Sequence, residues 1–326
     1  MDVLESINFD KPLPARVAAA VFGSSVITHL FGASCGKEGA ALQIGSGIAV
    51  SLSKAFGLDS KGRKMLTVCG MSALFSAVFG TPFAAAVFAV EVTCLKRKDL
   101  LRSCQWLLPC LVSSLISWGI SSFFGTNAER FHVDALPSFD IGVLLRTLAV
   151  ALACAAVEYI FYKGLHLSER MALKLIKNGY LRIFLGGALV AALTLFSGTT
   201  AFNGGGIEVI DSIFHGEEAP FMGFLYKMVF TVISVASGFK GGEIVPTLFV
   251  GASLGSVLSG PCGLSPEFAS AIGMTGLFAG MTKCPLASLI ISLEMFGPEV
   301  GVYFLIAVLV CTFLSGKGSL YIKNKH

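Results

Sequence analysis

Gly32-Ala33-Ser34-Cys35-Gly36-Lys37-Glu38-Gly39-Ala40-Ala41-Leu42-Gln43-Ile44-Gly45 sets a Lys-Glu pair between two apolar runs, 17–31 and 40–56. A charged side chain at membrane depth costs about 2.5–3.5 kcal/mol on insertion scales and is read first as functional. Glycines at 32, 36, 39, 45 and 47 let the backbone leave helical geometry and approach another segment closely. A helix starting near Gly39 aims its N-terminal N–H groups at the site beside Glu38, and such an end attracts anions. The stretch reads as a helix broken inside the membrane, with an anion-attracting end and one carboxylate beside it. A Gly-rich charged turn at the membrane surface fits the same residues.

The rest of the chain decides between these. Its 326 residues are 54% hydrophobic and 13% charged, with a mean hydropathy of +0.78. Soluble domains carry about 25% charged residues, so an all-α polytopic membrane protein is expected. Apolar runs lie at 16–32, 40–57, 65–92, 103–124, 141–162, 182–197, 220–236, 244–260, 267–293 and 302–315. A full span needs about 20 residues, and several runs are shorter or broken by Gly or Pro, as half-helices are. The net charge of +4 is spread over separate loops and does not point to nucleic acid. Asp2, Glu5 and Asp10 have the wrong sign for the basic leader of a signal peptide. The nine cysteines show no C-x-x-C and no His-paired spacing, so they read as small buried hydrophobes.

Fifteen of the 24 basic residues fall in four connections, around 61–64, 96–102, 163–182 and 317–325. The positive-inside rule puts these in the cytoplasm, the C-terminus with them. The connection 127–140 holds only Arg130 and is expected outside. It separates a first membrane repeat, 1–126, from a second, 141–326.

The repeat is visible in the residues. Gly70-Met71-Ser72-Ala73-Leu74-Phe75 matches Gly273-Met274-Thr275-Gly276-Leu277-Phe278, and the match runs without a gap through Pro82/Pro285 to Glu91/Glu294. Upstream, Gly36-Lys37-Glu38 aligns with Gly241-Gly242-Glu243 at an offset of 205. Each half reads as helix, Gly-rich break with a Glu, helix, and a hairpin with Pro. Repeats whose broken helices meet at the midplane are the architecture of secondary transporters. The second half also carries Asn203-Gly204-Gly205-Gly206, 39 residues before Glu243. Its counterpart in the first half would precede Met1, so an N-terminally truncated form of a longer protein is expected.

In the second half, Phe239-Lys240-Gly241-Gly242-Glu243-Ile244-Val245-Pro246 reads as a helix start, with Pro tolerated early in the first turn. Gly251 and Gly255 are spaced for close helix packing. Ser315-Gly316-Lys317-Gly318-Ser319-Leu320-Tyr321 places a Tyr after a Gly break. Its hydroxyl can serve an anion, a carboxylate or the membrane interface.

These motifs, in this order, resemble the CLC superfamily of anion channels and proton-coupled anion exchangers from about residue 10 to 322. Gly36-Lys37-Glu38-Gly39 resembles its G-[KR]-E-G motif, whose Glu is the gate and proton carrier. Gly241 to Leu248 resembles its G-G-x-F-x-P motif, and the stretch ending at Tyr321 the one bearing its pore-lining Tyr. Three departures from chloride exchangers resemble the fluoride/proton antiporter branch: Ala40 for Pro, Ile244 for Phe, and Val92 for an inner proton-relay Glu. Thr28-His29-Leu30-Phe31-Gly32 resembles that branch too. One departure runs the other way: Thr282-Lys283-Cys284-Pro285 stands where that branch tends to have T-N-T-P, near a sodium site at the dimer interface. Thr282 is the one candidate metal ligand, but the Lys283 ammonium can supply the cation's charge; no cofactor is expected.

The resemblance implies a homodimer in the plasma membrane that exports fluoride in exchange for protons. Gly36, Lys37, Gly39, Gly242, Ile244, Val245 and Tyr321 are then the anion-binding candidates, and Glu38 and Glu243 the gating and proton-coupling ones. Glu243 has an equal structural reading, capping N–H groups or pairing with Lys240. A chloride channel or chloride/proton exchanger, or an inactive fragment, shares the motifs. An intramembrane enzyme is not expected: histidines 29, 132, 166, 215 and 326 are scattered and fit no nucleophile–base or metal set. Phe75, Phe79 and Phe278 read as packing, His29 as a helix-interface group, and Glu91 and Glu294 as structural.

Overall fold

The computed structural model describes residues 3–4, 7, 16–94, 104–126, 131, 133, 137–316 and 318–321. The basic residues at 96–102 and 317–325, the acidic ones at 2, 5 and 10, and much of the connection 127–140 lie outside the described residues.

The described residues form thirteen α-helices: α1 Val17–Leu30, α2 Glu38–Ala55, α3 Ser60–Phe79, α4 Pro82–Cys94, α5 Leu107–Phe123, α6 Ile141–Leu175, α7 Gly179–Ser197, α8 Ile207–Phe214, α9 Gly223–Ser237, α10 Ile244–Cys262, α11 Pro266–Thr282, α12 Pro285–Phe296 and α13 Gly301–Leu314. Polar side chains start several of them. Asp59 accepts from Gly62 N at 2.8 Å, Asp140 from Val143 N at 3.0 Å and Asn178 from Tyr180 N at 2.9 Å. Each satisfies a donor that the first turn leaves unpaired.

By length and composition, α6, α7 and α10 can each cross a membrane. Six more apolar helices have 10–17 residues, too short for an untilted span. Large apolar side chains such as Phe123, Phe184, Leu195, Phe196 and Phe313 are exposed on the rim. Helices α10 and α11 form the buried centre.

Two helix pairs, α2 with α3 and α10 with α11, are packed backbone to backbone. A Cβ on Gly45 or Gly70 would strike the carbonyl of the other, and the same holds for Gly251 and Gly273. This crossing, made twice, is the repeat in three dimensions. Hairpins α3–α4 and α11–α12 follow the offset of 203. They bond to each other reciprocally: Glu91 accepts from Leu286 N and Ala287 N at 3.2 and 2.8 Å, and Glu294 from Phe83 N and Ala84 N at 3.1 and 2.7 Å. Both carboxylates thus cap the opposite repeat's helix.

At the breaks the structure corrects the alignment. Gly36 pairs with Gly242, and helices α2 and α10 begin at Glu38 and Ile244. The offset there is 206, one more than the sequence match suggested. Glu243 is therefore the partner of Lys37, not of Glu38. Apolar identity around a Gly-rich break cannot fix register to one residue; reciprocal hydrogen bonding does. Helix α3 has 20 residues and α11 has 17, which returns the offset to 203 by the hairpins.

Lys283 departs from its repeat partner as well. Both Gly80 and Lys283 end a helix in left-handed geometry, at φ +67° and +59°. Among the described residues Lys283 is the only non-glycine with positive φ. Such a backbone costs roughly 1–2 kcal/mol for an ordinary residue. Its ammonium offsets that by donating to Thr312 O at 3.0 Å and Ser315 Oγ at 2.5 Å.

Candidate functional site

The two breaks meet head to head. Gly36 N donates to Gly242 O at 2.7 Å, and Gly242 N to Gly36 O at 2.6 Å. The first helical bonds of α2 and α10 begin later, at Ala41 N to Lys37 O and Thr247 N to Glu243 O. The N–H groups of Gly39, Ile244 and Val245 precede them, so two electropositive helix ends converge on one place. Val245 packs over Gly36 and Gly205.

Glu38 opens α2 and is 2% exposed. Its carboxylate folds back over Gly36, where a Cβ would collide with Oε2. Glu38 lines a cavity of about 340 Å³ with His29, Lys37, Asn203 and the Gly204–Gly206 loop. Glu243, the cap of α10, lines a different cavity of about 310 Å³ with Gly39, Gly242, Ile244 and Tyr321. The structure thus divides the candidates between two cavities that share no lining residue, and it brings Gly36 and Val245 into neither. Lys240 lines the second cavity with Glu243. Tyr321 stands edge-on to Phe88 at 6.0 Å, and Phe88 stacks on Phe75 at 4.8 Å.

Thr282 is elsewhere. Its Oγ1 donates to Phe278 O at 2.7 Å and accepts from Cys284 N at 3.3 Å. The neighbouring Lys283 ammonium is held by two oxygens, Thr312 O and Ser315 Oγ. Among the described residues no group of three His, Cys, Asp or Glu has metal-binding geometry.

Sequence reasoning missed Lys227. It lies in α9, wholly buried, and donates to Gly204 O at 2.8 Å and Phe202 O at 3.0 Å, with Asn203 O at 3.4 Å. Phe249 lies under the ammonium at 5.1 Å. A single charge inside the apolar run 220–236 was the signal available. With its carbonyls drawn to Lys227, and Gly204 N donating to Ala33 O at 3.1 Å, the loop is fixed as a wall of the Glu38 cavity. Phe88, Gln43, His166 and Glu169 were also missed; all four line the Glu243 cavity. Their place there depends on tertiary packing that no local pattern carries.

The chain matches the family described as voltage gated chloride channel over residues 2–316. It belongs to the CLC family. A chloride/fluoride channel protein of Pseudomonas syringae pv. tomato is 32% identical over 326 residues, covering 98% of this chain and 71% of its own length. The voltage-gated ClC-type chloride channel ClcB of Shigella flexneri is 26% identical over 310 residues, 91% of this chain and 72% of its own. Among solved structures, the crystal structure of a CLC-type fluoride/proton antiporter superposes with a TM-score of 0.92 at 31% identity, covering 98% of this chain and 80% of that one. A slow cyanobacterial Cl-/H+ antiporter, at 19% identity and a TM-score of 0.81, shares the fold. This CLC protein is thus an all-α membrane protein with apolar helices on its rim.

Proposed function

We propose that this CLC protein exports fluoride in exchange for protons, with Glu38 as the gate and Glu243 as the inner proton acceptor. One observation carries the reading: two carboxylates at helix breaks joined by the Gly36–Gly242 contact line separate cavities. The 31–32% identity to a fluoride/proton antiporter and a chloride/fluoride channel protein supports fluoride as the anion.

The chemistry follows from charge. A dehydrated anion is held by N–H groups of Ile244 and Val245 at the N-terminus of α10, with Gly36, Gly39 and Gly242 giving it backbone access. Ionised Glu38 competes for the same field. Protonated, it loses its charge, leaves the helix ends and yields the place to the anion. Fluoride accepts strong hydrogen bonds, so the protonated acid can leave bound to it. Each turnover exposes Glu38 to one side as carboxylate and to the other as acid, so proton and anion move oppositely. Val92 lines the inner cavity and cannot carry a proton, whereas Glu243 in the same wall can. Lys37 adds positive potential to the outer cavity, and Tyr321 lines the inner one.

The reading extends to organisation. The protein sits in the plasma membrane with its C-terminus in the cytoplasm, the basic stretch 163–182 marking that side. Residues 1–126 and 141–326 act as the two repeats. It works as a homodimer through the α4 and α12 hairpin face, where Phe83 and Leu286 occupy equivalent exposed positions. It is a transporter and not an enzyme, and it needs no sodium, Lys283 supplying the positive charge.

Proteoliposomes loaded with fluoride or with chloride test this. Fluoride should leave much faster than chloride, and Glu38→Gln, which cannot ionise, should abolish coupled exchange. Equal chloride efflux would make it a chloride transporter of the same family. Silence for both ions would reject transport by this chain.

A further inference from the structure

Helices α6, α11 and α13 meet in two stacked layers. In the first, a Cβ on Gly276 would lie 2.9 Å from Cys311 Sγ and 3.6 Å from Cys154 Cβ. One turn further along α11, a Cβ on Gly280 would lie 2.9 Å from Glu158 Cδ and 3.0 Å from its Oε2. Residues four apart share a helix face, so Glu158 stacks on Cys154, Gly280 on Gly276, and Ser315 on Cys311. The second layer thus holds a carboxylate. Glu158 is wholly buried, and neither of its oxygens has a hydrogen-bond partner among the described residues. A carboxylate in such a place is strongly unfavourable unless an opposite charge stands near it.

Lys283 supplies that charge. Its ammonium reaches into the same layer, donating to Ser315 Oγ at 2.5 Å and to Thr312 O at 3.0 Å. Among the described residues, Lys283 is the cation whose charge acts on Glu158, and Glu158 the carboxylate whose charge acts on Lys283. Lys283 also sets the turn from which the Tyr321 segment hangs. Ser319 Oγ donates to Thr282 O at 2.9 Å, Leu320 N to Met281 O at 2.9 Å, and Tyr321 N to Ser319 Oγ at 3.2 Å. Thr282 O lies in the peptide plane that the φ of Lys283 orients, and that φ is +59°. An ammonium anchored in the layer keeps this left-handed turn, and with it Thr282 O, aimed at Ser319.

We propose that Glu158 is the counter-ion of Lys283, and that the pair, by fixing the turn at Lys283, positions the segment that brings Tyr321 to the Glu243 cavity. Neither residue lines that cavity or the Glu38 cavity, so both are positioning residues. The positioning role rests on the transport reading above; the pairing does not. Removing one charge leaves the other buried without compensation, whereas removing both leaves none. The two single losses should therefore be large and the joint loss small.

The test is a double-variant cycle. Glu158→Gln removes one charge at nearly constant shape. Lys283→Gly removes the other and keeps a residue at ease with positive φ, as Gly80 is at the equivalent place in the first repeat. Each single variant should lower the melting midpoint of detergent-solubilised protein by several degrees, and the double variant should recover most of the loss. Fluoride efflux from proteoliposomes is then recorded against internal fluoride concentration, well below the midpoints. Each single variant should raise the half-saturating concentration about threefold, with a smaller change in maximal flux, and the double variant should bring it back. Ser319→Ala, which cuts the bond to Thr282 O, should raise it too and add nothing to Lys283→Gly. Melting losses that add in the double variant overturn the pair, as does Glu158→Gln melting with the wild type. If Glu158→Gln does not fold, the double variant decides: a folded double variant supports the pair and an unfolded one overturns it. Recovery of melting with wild-type half-saturation in every variant overturns the positioning role. If the wild type releases no anion, the transport reading fails and the positioning role with it, while the melting cycle still judges the pair.

Discussion

Two glycines three residues apart should respond oppositely to the same added methyl group. At Gly39, a Cβ would sit 2.6 Å from Gly242 Cα, with Gly242 N at 3.4 Å. Carbon atoms pack best at about 3.5–4.0 Å, so α2 and α10 would have to part by about 1 Å. The obstacle is backbone, held by reciprocal bonds of 2.7 and 2.6 Å between Gly36 and Gly242. Overpacking costs about 1–3 kcal/mol, and each weakened bond about 0.5–1.5 kcal/mol. Alanine's better helix propensity returns about 1 kcal/mol. With both bonds weakened, Gly39→Ala should therefore destabilise by about 1–5 kcal/mol. At Gly36 the new Cβ meets Glu38 Oε2, the far end of a side chain that can rotate away, and Val245 Cβ at 3.2 Å. Gly36→Ala should keep nearly wild-type stability but evict the Glu38 carboxylate from its resting place. The assay is paired: melting midpoint of detergent-solubilised protein, and fluoride efflux with proton flux. Gly39→Ala should lower the midpoint; Gly36→Ala should leave it and change the ratio of proton to fluoride flux. If Gly36→Ala melts as early as Gly39→Ala, or Gly39→Ala melts with wild type, the head-to-head contact is not as tight as described.

Three further outcomes rest on single contacts. Lys227→Met leaves the buried carbonyls of Phe202 and Gly204 without their donor, at about 1–3 kcal/mol each; the relieved ammonium burial offsets part, so a net loss of about 2–4 kcal/mol should lower the melting midpoint. Glu294→Gln replaces a carboxylate that accepts from Phe83 N and Ala84 N by an amide with one oxygen. It should cost about 1–2 kcal/mol, and Glu91→Gln should match it, since the two caps are equivalent; a large difference between them in the same melting assay would contradict the reciprocity. Replacing all sodium by N-methylglucamine should change neither the melting midpoint nor fluoride efflux of the wild type if, as proposed, the Lys283 ammonium, bonded to Thr312 O and Ser315 Oγ, supplies the positive charge there; a sodium-dependent shift would refute that.

The fold was legible in the sequence where a feature is local or repeated. Pro82 and Pro285, the equal spacing to Glu91 and Glu294, and the charged Gly-rich breaks are each visible in a short window. What escaped is set by packing between distant segments. Glu169 and His166 look like solvated residues of a long helix until α6 is seen against the Glu243 cavity. Lys227 sits in an apolar run, and only the folded Gly204–Gly206 loop supplies the carbonyls that make its burial tolerable. Of the connections whose charge sets the orientation, 61–64 and 163–182 are among the described residues and the basic residues of 96–102 and 317–325 are not; sidedness is read from composition.

The one-residue difference at the breaks bears on mechanism more than any other detail. The scaffold is two-fold: helix ends pair at Gly36 and Gly242, and crossings repeat at Gly45–Gly70 and Gly251–Gly273. Were the carboxylates at equivalent positions, the scaffold would treat them alike. Instead Glu38 is the first residue of α2, and Glu243 stands one place earlier, as the cap of α10. One helical residue turns a side chain by about 100°. The shift places one carboxylate in the Lys37 cavity and the other in the Tyr321 cavity. A symmetric backbone thereby carries two carboxylates in different surroundings, and the proposed exchange assigns them different parts.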